Sequence, residues 1–211
     1  MKGTTIRSRL NPKLEVSVIA GHFATRHSHN NHYIDITRLK HEHTMAREAA
    51  MTLAQRYAYE KGVDTIVCLD GTQVIGALLA QELTRNGLAS MNAHNTIYVV
   101  TPELDANGQL LFRDNLQPMV RGKHVLILMA SATTGITIRK SAECVQYYGG
   151  EVAGMCAIFS AVKQAEGHEV HAVFHLEDVP EYQSFAPHDC PLCKAGMPIE
   201  ALVNSFGYSK L

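Results

Sequence analysis

Residues 122–137, GKHVLILMASATTGIT, carry the clearest indication of the fold in this sequence. Residues 124–128 are strongly apolar and predict a buried β-strand, and residues 131–135 form a loop of small and hydroxylated residues. Downstream, Ile138, Ala142, Val145 and Tyr148 recur at helical spacing, and the pattern stops at a glycine pair, 149–150. We therefore predict a strand, a tight loop and a helix in direct succession.

The same alternation continues on both sides of this stretch. A helix is predicted after the N-cap Thr44, on the apolar face Ala46, Ala49, Ala50, Leu53, Ala54 and Tyr57, ending at 61–62. A second is predicted on the face Val74, Ile75, Leu78, Leu79 and Leu83, ending at 86–87. Further strands are predicted at 65–69, 96–100, 152–159 and 170–174, and a short hairpin arm at 109–113. This order predicts an α/β fold, a mostly parallel sheet with helices on both faces.

The two ends of the chain do not continue this rhythm. Residues 1–43 and 180–211 are rich in His, Asn, Pro and Gly. We interpret them as a small flap, or hood, contributed by both ends and packed beside a core at about 44–179, so that residues 1–211 form one domain.

Composition narrows the class of protein. The 211 residues are 46% hydrophobic and carry a net charge of −1, so the general basic surplus of a nucleic-acid-binding protein is absent. The longest apolar run, 125–130, is far shorter than the roughly 20 residues that span a bilayer. Residues 1–10 are polar and basic and show no secretory signal. Cys68, Cys144 and Cys156 lie in apolar segments, so we predict that they are reduced thiols in the core. Reduced thiols indicate a cytoplasmic protein.

The loop after the apolar strand is a candidate phosphate site. Its hydroxyls and backbone amides would lie at a helix N-terminus, where the helix dipole and unpaired N–H groups favour an anion, and glycine permits close approach. The alternative is an ordinary strand-to-helix turn capped by threonine. The residues assigned to phosphate are Ser131, Ala132, Thr133, Thr134, Gly135 and Thr137.

Residues 125–137 resemble the phosphoribosyl pyrophosphate (PRPP) signature of the type I phosphoribosyltransferases: four apolar residues, two acidic residues, two intervening residues, two hydroxyl residues and glycine. Residues 21–28 and 32–35 are similar to the N-terminal segment of the orotate enzymes, and 190–198 to the C-terminal tail of some of them. The resemblance implies a pyrophosphate loop at Asp70, Gly71 and Thr72, Mg²⁺ as the cofactor of catalysis, and a homodimer.

Two departures from the family concern the transfer step. Met129 and Ala130 occupy the acidic positions, and neither can bind Mg²⁺ or hold ribose hydroxyls through a carboxylate. Segment 99–108, where orotate enzymes carry cations, has Glu103 and Asp105 and no cation, although a leaving pyrophosphate needs preorganised positive charge. The candidate catalytic residues are therefore Asp70 and Arg113.

Two further sets of residues have open interpretations. His188, Cys190 and Cys193, with a histidine from 27–32, could bind Zn²⁺, or they could be polar flap residues. Arg26 lies near the position of a base-contacting lysine in orotate enzymes and could pair with a carboxylated base, or it could be an ordinary surface arginine.

The sequence favours an orotate phosphoribosyltransferase-like protein that binds a phosphorylated ribose ligand, PRPP or a nucleoside 5′-monophosphate, with impaired transfer. An active pentosyltransferase, a non-catalytic nucleotide-binding or regulatory module on the same fold, and a zinc-stabilised scaffold remain alternatives. Nucleic acid and membranes are not expected partners.

Overall fold

The structure, a computed structural model, describes residues 3–57, 62–85, 92, 96–106 and 108–211. The strands are β1 (Thr4–Arg7), β2 (Glu15–Ala24), β3 (His29–Asp35), β4 (Thr65–Cys68), β5 (Tyr98–Val100), β6 (Glu103–Leu104), β7 (Leu110–Leu111), β8 (His124–Ala132), β9 (Glu151–Ser160), β10 (Gln164–Ala165), β11 (His168–His175), β12 (Ser184–Phe185), β13 (Ala201–Asn204) and β14 (Gly207–Lys210). The helices are α1 (Thr37–His41), α2 (His43–Tyr57), α3 (Gln73–Arg85), α4 (Ile136–Tyr147) and α5 (Pro191–Lys194).

The central sheet has the strand order β10-β11-β9-β8-β4-β5. All its pairings are parallel except that of the short edge strand β10. Helices α2 and α3 pack together on one face, and α4 packs against β8 and β9 on the other. The predicted α/β fold, a mostly parallel sheet with helices on both faces, is confirmed.

The predicted apolar faces account for the helix packing. In α2 all six residues of the predicted face are buried, and in α4 Ile138, Ala142 and Val145 are buried. In α3 Ile75, Leu79 and Leu83 are buried, but Val74 is 44% exposed. The prediction that Val74 lies on the buried face was therefore wrong. The predicted helix ends at 61–62 and 86–87 fall at least partly outside the described residues.

Strand β8 is longer than its apolar run predicts. It pairs with β9 as far as Ala132, which lies opposite Ser160. Because β9 supplies backbone partners along this length, Ser131 and Ala132 belong to the strand rather than to the loop. The predicted loop 131–135 is therefore shortened to 133–135, directly before α4.

The second sheet, here called the terminal sheet, combines strands from residues 4–35 and 184–210. Its order is β12-β3-β2-β13-β14, with β1 also paired to β2. The late strand β13 runs parallel to β2 at Phe23 and Ala24. Between Ala20 and Phe23 strand β2 carries a bulge against β3, which re-aims the intervening side chains. The bulge thus gives His22 a direction that regular pleating would not.

Among the described residues, no helix has both the length and the apolar character needed to cross a membrane.

Candidate functional site

The loop after β8 leads into a helix that begins without a side-chain cap. Gly135 is the N-cap of α4 and has φ +75, and within the described chain no side chain hydrogen-bonds to this helix start. The alternative of a threonine-capped turn is therefore not what the structure has. A Cβ at Gly135 would have its nearest neighbour, Val162, 4.0 Å away, so the loop is open in front of the glycine. Thr134 and Thr137 are exposed and Thr133 is partly exposed. Amides of the first helical turn and these hydroxyls are thus available to an anion.

A tight turn after the neighbouring strand β4 lies at the same carboxyl edge of the sheet. Asp70 (φ 54) and Gly71 (φ 78) are both in the left-handed region. The Leu69 amide donates to the Leu128 carbonyl over 2.8 Å, which holds the turn against β8. Thr72, assigned to pyrophosphate from the sequence, is fully buried, and its hydroxyl donates to the Leu69 carbonyl at 2.8 Å. Its side chain therefore fixes the turn, in which Gly71 is exposed and Asp70 is half-buried.

The positions of the family's acidic pair are apolar and closed. Met129 is fully buried and Ala130 is 5% exposed. The Asp70 carboxyl accepts a hydrogen bond from the Ala130 amide, and burial raises its pKa while the nearby Lys40 opposes that rise. Hard Mg²⁺ requires several oxygen ligands. The residues at these positions do not fit the magnesium that the resemblance implies.

Lys40 is a buried cation that the sequence analysis missed. It lies in α1 and is 6% exposed. Its Nζ donates to the Ser205 carbonyl at 2.7 Å and to the Asp70 carbonyl at 3.2 Å. Burial lowers the pKa of Lys40, and the carboxylates of Asp70 and Asp35 act in the opposite direction. This side chain joins the terminal sheet to the β4 turn, and nothing in the spacing of the sequence distinguishes it from a surface lysine.

Arg113, a candidate catalytic residue, is engaged elsewhere. Strands β6 and β7 form a hairpin, and Arg113 follows it. Its Nε and Nη2 donate to the two carboxylate oxygens of Glu103 at 2.6 and 2.7 Å. This bidentate pair raises the pKa of Arg113 and lowers that of Glu103. The cation that follows segment 99–108 is therefore already paired with Glu103, a residue of that segment.

Arg26 lies at the tip of the β2–β3 hairpin. The Thr25 hydroxyl accepts the amides of His27 and Ser28 at 3.2 and 2.9 Å, which makes the connection tight. Arg26 is exposed, and its guanidinium lies over Gly108, where an added Cβ would be 2.8 Å from Nη1. The terminal sheet thus meets the loop between β6 and β7 at Arg26.

The histidine and cysteine residues converge in a different combination from the one assigned in the sequence. Ligand atoms of His22, His29, Cys190 and Cys193 all lie within 4.8 Å of one another. Of the residues named from the sequence, the cysteines and a histidine of 27–32 take part, while His188 is exposed and lies outside this group. His22 is fully buried and was missed because its position depends on the bulge in β2.

Comparison with known proteins agrees with this architecture. No family model matches the chain. It is 29% identical over 190 residues to the orotate phosphoribosyltransferase of Chlorobium phaeobacteroides, with 88% of each chain covered. The chain is thus similar over most of its length to proteins named orotate phosphoribosyltransferase.

Solved structures show the same type I phosphoribosyltransferase fold. The orotate phosphoribosyltransferase of Aeropyrum pernix superposes with a TM-score of 0.52 at 21% identity, covering 85% of this chain and 92% of the other. The Mycobacterium tuberculosis enzyme, crystallised with PRPP, gives a TM-score of 0.52 at 18% identity over 70% of this chain and 82% of the other.

Proposed function

We propose that this phosphoribosyltransferase-like chain binds a 5′-phosphorylated ribose ligand, PRPP or a nucleoside 5′-monophosphate, and transfers the phosphoribosyl group poorly. A contrast between the phosphate loop and the groups expected for transfer carries the proposal. The loop that would hold a phosphate is open and uncapped, while Met129 and Ala130 occupy the acidic positions and Arg113 is paired with Glu103. Relatives named orotate phosphoribosyltransferase support the ligand class.

In this proposal the 5′-phosphate lies at the start of α4. The amides of the first turn and the hydroxyls of Thr133, Thr134 and Thr137 donate to its oxygens, and Gly135 gives the backbone room to approach. Ser131, an exposed residue one position before the carboxyl end of β8, adds a further hydroxyl. Ala132 contributes by continuing β8, because its carbonyl accepts from the Ala161 amide at 2.8 Å.

The same arrangement disfavours transfer from PRPP. Departure of pyrophosphate places negative charge beside the β4 turn at Asp70 and Gly71, and an enzyme needs fixed positive charge there. Lys40 is the cation at this turn, but both of its described hydrogen bonds go to carbonyls, and burial lowers its pKa. Asp70, the other catalytic candidate, adds a carboxyl rather than a cation. Because the side chains of Met129 and Ala130 offer Mg²⁺ no oxygen ligand, the proposal includes no step on a magnesium-bound substrate.

The base would lie near Arg26. An exposed guanidinium beside a hairpin that contacts Gly108 can pair with the carboxylate of a base such as orotate, which the named relatives use. As the resemblance implies, we also infer a homodimer, which light scattering of the purified protein would test.

Calorimetric titration tests the binding half of the proposal. PRPP, orotidine 5′-monophosphate, AMP and ribose 5-phosphate are titrated with and without Mg²⁺. We expect monophosphate binding that does not require Mg²⁺, because the phosphate loop needs no metal. Failure of all four to bind would overturn the proposed function.

Pyrophosphate release tests the transfer half. The protein is incubated with PRPP, Mg²⁺ and a panel of bases that includes orotate, beside a relative of known activity as a positive control. We expect little release. Turnover of about 1 s⁻¹ or more, the ordinary enzymatic range, would make active transferase the correct function.

A further inference from the structure

Four side chains of the terminal sheet form a compact cluster with the donor atoms of a metal site. This His/Cys cluster consists of His22, His29, Cys190 and Cys193. His22 lies in the bulge of β2 and His29 opens β3. The cysteines flank the start of the short helix α5, where the Lys194 amide donates to the Cys190 carbonyl at 3.1 Å. Three separate segments of the chain therefore contribute donors to one point.

Four of the six donor–donor distances within the cluster are close to those of a zinc tetrahedron, and all four donor atoms lie within 4.8 Å of one another. With Zn–S near about 2.3 Å and Zn–N near about 2.05 Å, two nitrogen ligands lie about 3.4 Å apart and a nitrogen and a sulfur about 3.6 Å apart. Here His22 Nε2 is 3.2 Å from His29 Nδ1 and 3.6 Å from Cys190 Sγ. Cys193 Sγ is 3.7 Å from His22 Nε2 and 3.3 Å from His29 Nδ1. These four separations lie within about 0.3 Å of the values expected for ligands of a shared metal.

The tautomer of His22 is suited to a ligand. Its Nδ1 is 3.0 Å from the Met197 carbonyl oxygen, which can only accept a hydrogen bond. Nδ1 therefore carries the proton in the neutral ring, and Nε2 presents its lone pair to the cluster. A backbone carbonyl that orients a histidine through its second nitrogen is the usual arrangement around protein-bound metals. The carbonyl belongs to the same turn as the cysteines, so the turn supplies both ligands and the orienting group.

We propose that His22 Nε2, His29 Nδ1, Cys190 Sγ and Cys193 Sγ bind one Zn²⁺ as a closed structural site. Two nitrogens and two sulfurs are a common structural zinc set, and soft sulfur ligands select zinc against magnesium or calcium. Binding replaces the two thiol protons, which are released to solvent as the thiolates form.

The ion has a defined structural role in this position. It ties the turn before β13 to both strands of the hairpin that carries Arg26. The backbone already joins these segments, because the Glu200 amide donates to the His22 carbonyl at 2.8 Å. A metal adds a link that unfolding must break, so its binding free energy adds to the stability of the terminal sheet. This site does not depend on the phosphate ligand.

Metal content of the full-length protein tests the proposal. Wild-type protein is reduced, loaded with zinc, desalted and measured by atomic emission, and Co²⁺-loaded protein is examined for thiolate-to-cobalt absorption. Cys193→Ser and His22→Ala remove ligands. His188→Ala and Cys144→Ser are matched controls, since His188 is exposed on the same segment and Cys144 lies in α4.

We expect about one zinc per chain in the wild type and both controls. Cys193→Ser should bind at least about 100-fold more weakly, because even changes around a ligand cost 10- to 100-fold. Since Cys193 is exposed, its serine variant keeps the fold, which circular dichroism checks. A wild type without zinc, a Cys190–Cys193 disulfide in its place, or undiminished zinc in Cys193→Ser would each overturn the proposal.

Discussion

Replacing Gly135 with alanine strains the phosphate loop without creating a clash. The new Cβ would be 4.0 Å from its nearest neighbour, so the cost is conformational: an L-residue at φ +75 loses about 1–2 kcal/mol. Because the loop is open, we expect the free protein to relax to a negative φ, which turns the first amides of α4 away. Binding must then restore the strained form, so affinity for ribose 5-phosphate should fall by about 5- to 30-fold, measured by calorimetry.

Gly122 provides the matched control at the opposite end of β8. It has φ +66, no atom lies within 4 Å of an added Cβ, and its amide donates to the Gly149 carbonyl at 2.8 Å. Gly122→Ala should lower the melting temperature by about 2–8 °C and leave ligand affinity unchanged. Wild-type affinity in Gly135→Ala, or an equal loss in both variants, would refute the assignment of the phosphate to this loop.

Three other changes probe the charges around the site. Burial raises the pKa of Asp70, so the stability linked to its protonated form is lost as the pH rises above the ordinary value of 3.8 and through the raised pKa. The Asp70→Asn variant should lack this decline in melting temperature above about pH 4, and an unchanged decline would contradict the prediction. Lys40→Met deprives two carbonyls of a donor and should lower the free energy of unfolding by about 1–3 kcal/mol in urea titrations; unaltered stability would show that water replaces the ammonium. Glu103→Gln releases the guanidinium of Arg113 and should strengthen pyrophosphate binding by less than about fivefold, since the pair is exposed, whereas weaker binding would mean that the carboxylate helps to hold the ligand.

The central sheet was predictable because its elements have strong local patterns. Helix α2 shows a complete apolar face, and strands such as β9 are continuous apolar runs, which is typical of parallel strands buried on both sides. The end of β8 was not predictable from its residues. Ser131 is small and polar and Ala132 is small and apolar, so neither residue type predicts a strand. Only their pairing with β9 makes them part of β8.

The terminal sheet and the positions of its side chains could not be predicted, because they depend on contacts between segments that are distant in sequence. Strands β13 and β2 pair although most of the chain lies between them, so no periodicity in the local sequence predicts this pairing. Lys40 acquires its role by hydrogen bonds to Asp70 and Ser205, which come from distant segments. Nothing in the sequence distinguishes His22 from the other histidines of the chain, twelve in all. The bulge in β2 directs its side chain toward the cysteines. In each case the missing information is tertiary pairing rather than residue chemistry.

The pairing of β13 with β2 sets an order for folding during synthesis. The edge of β2 at Phe23 and Ala24 receives its partner only when residues 201–202 have been made. Until then the nascent chain carries an unpaired strand edge, the kind of surface that joins to other chains. Truncation before β13 would leave that edge permanently open. We therefore expect such truncations to aggregate, although every element of the central sheet is present.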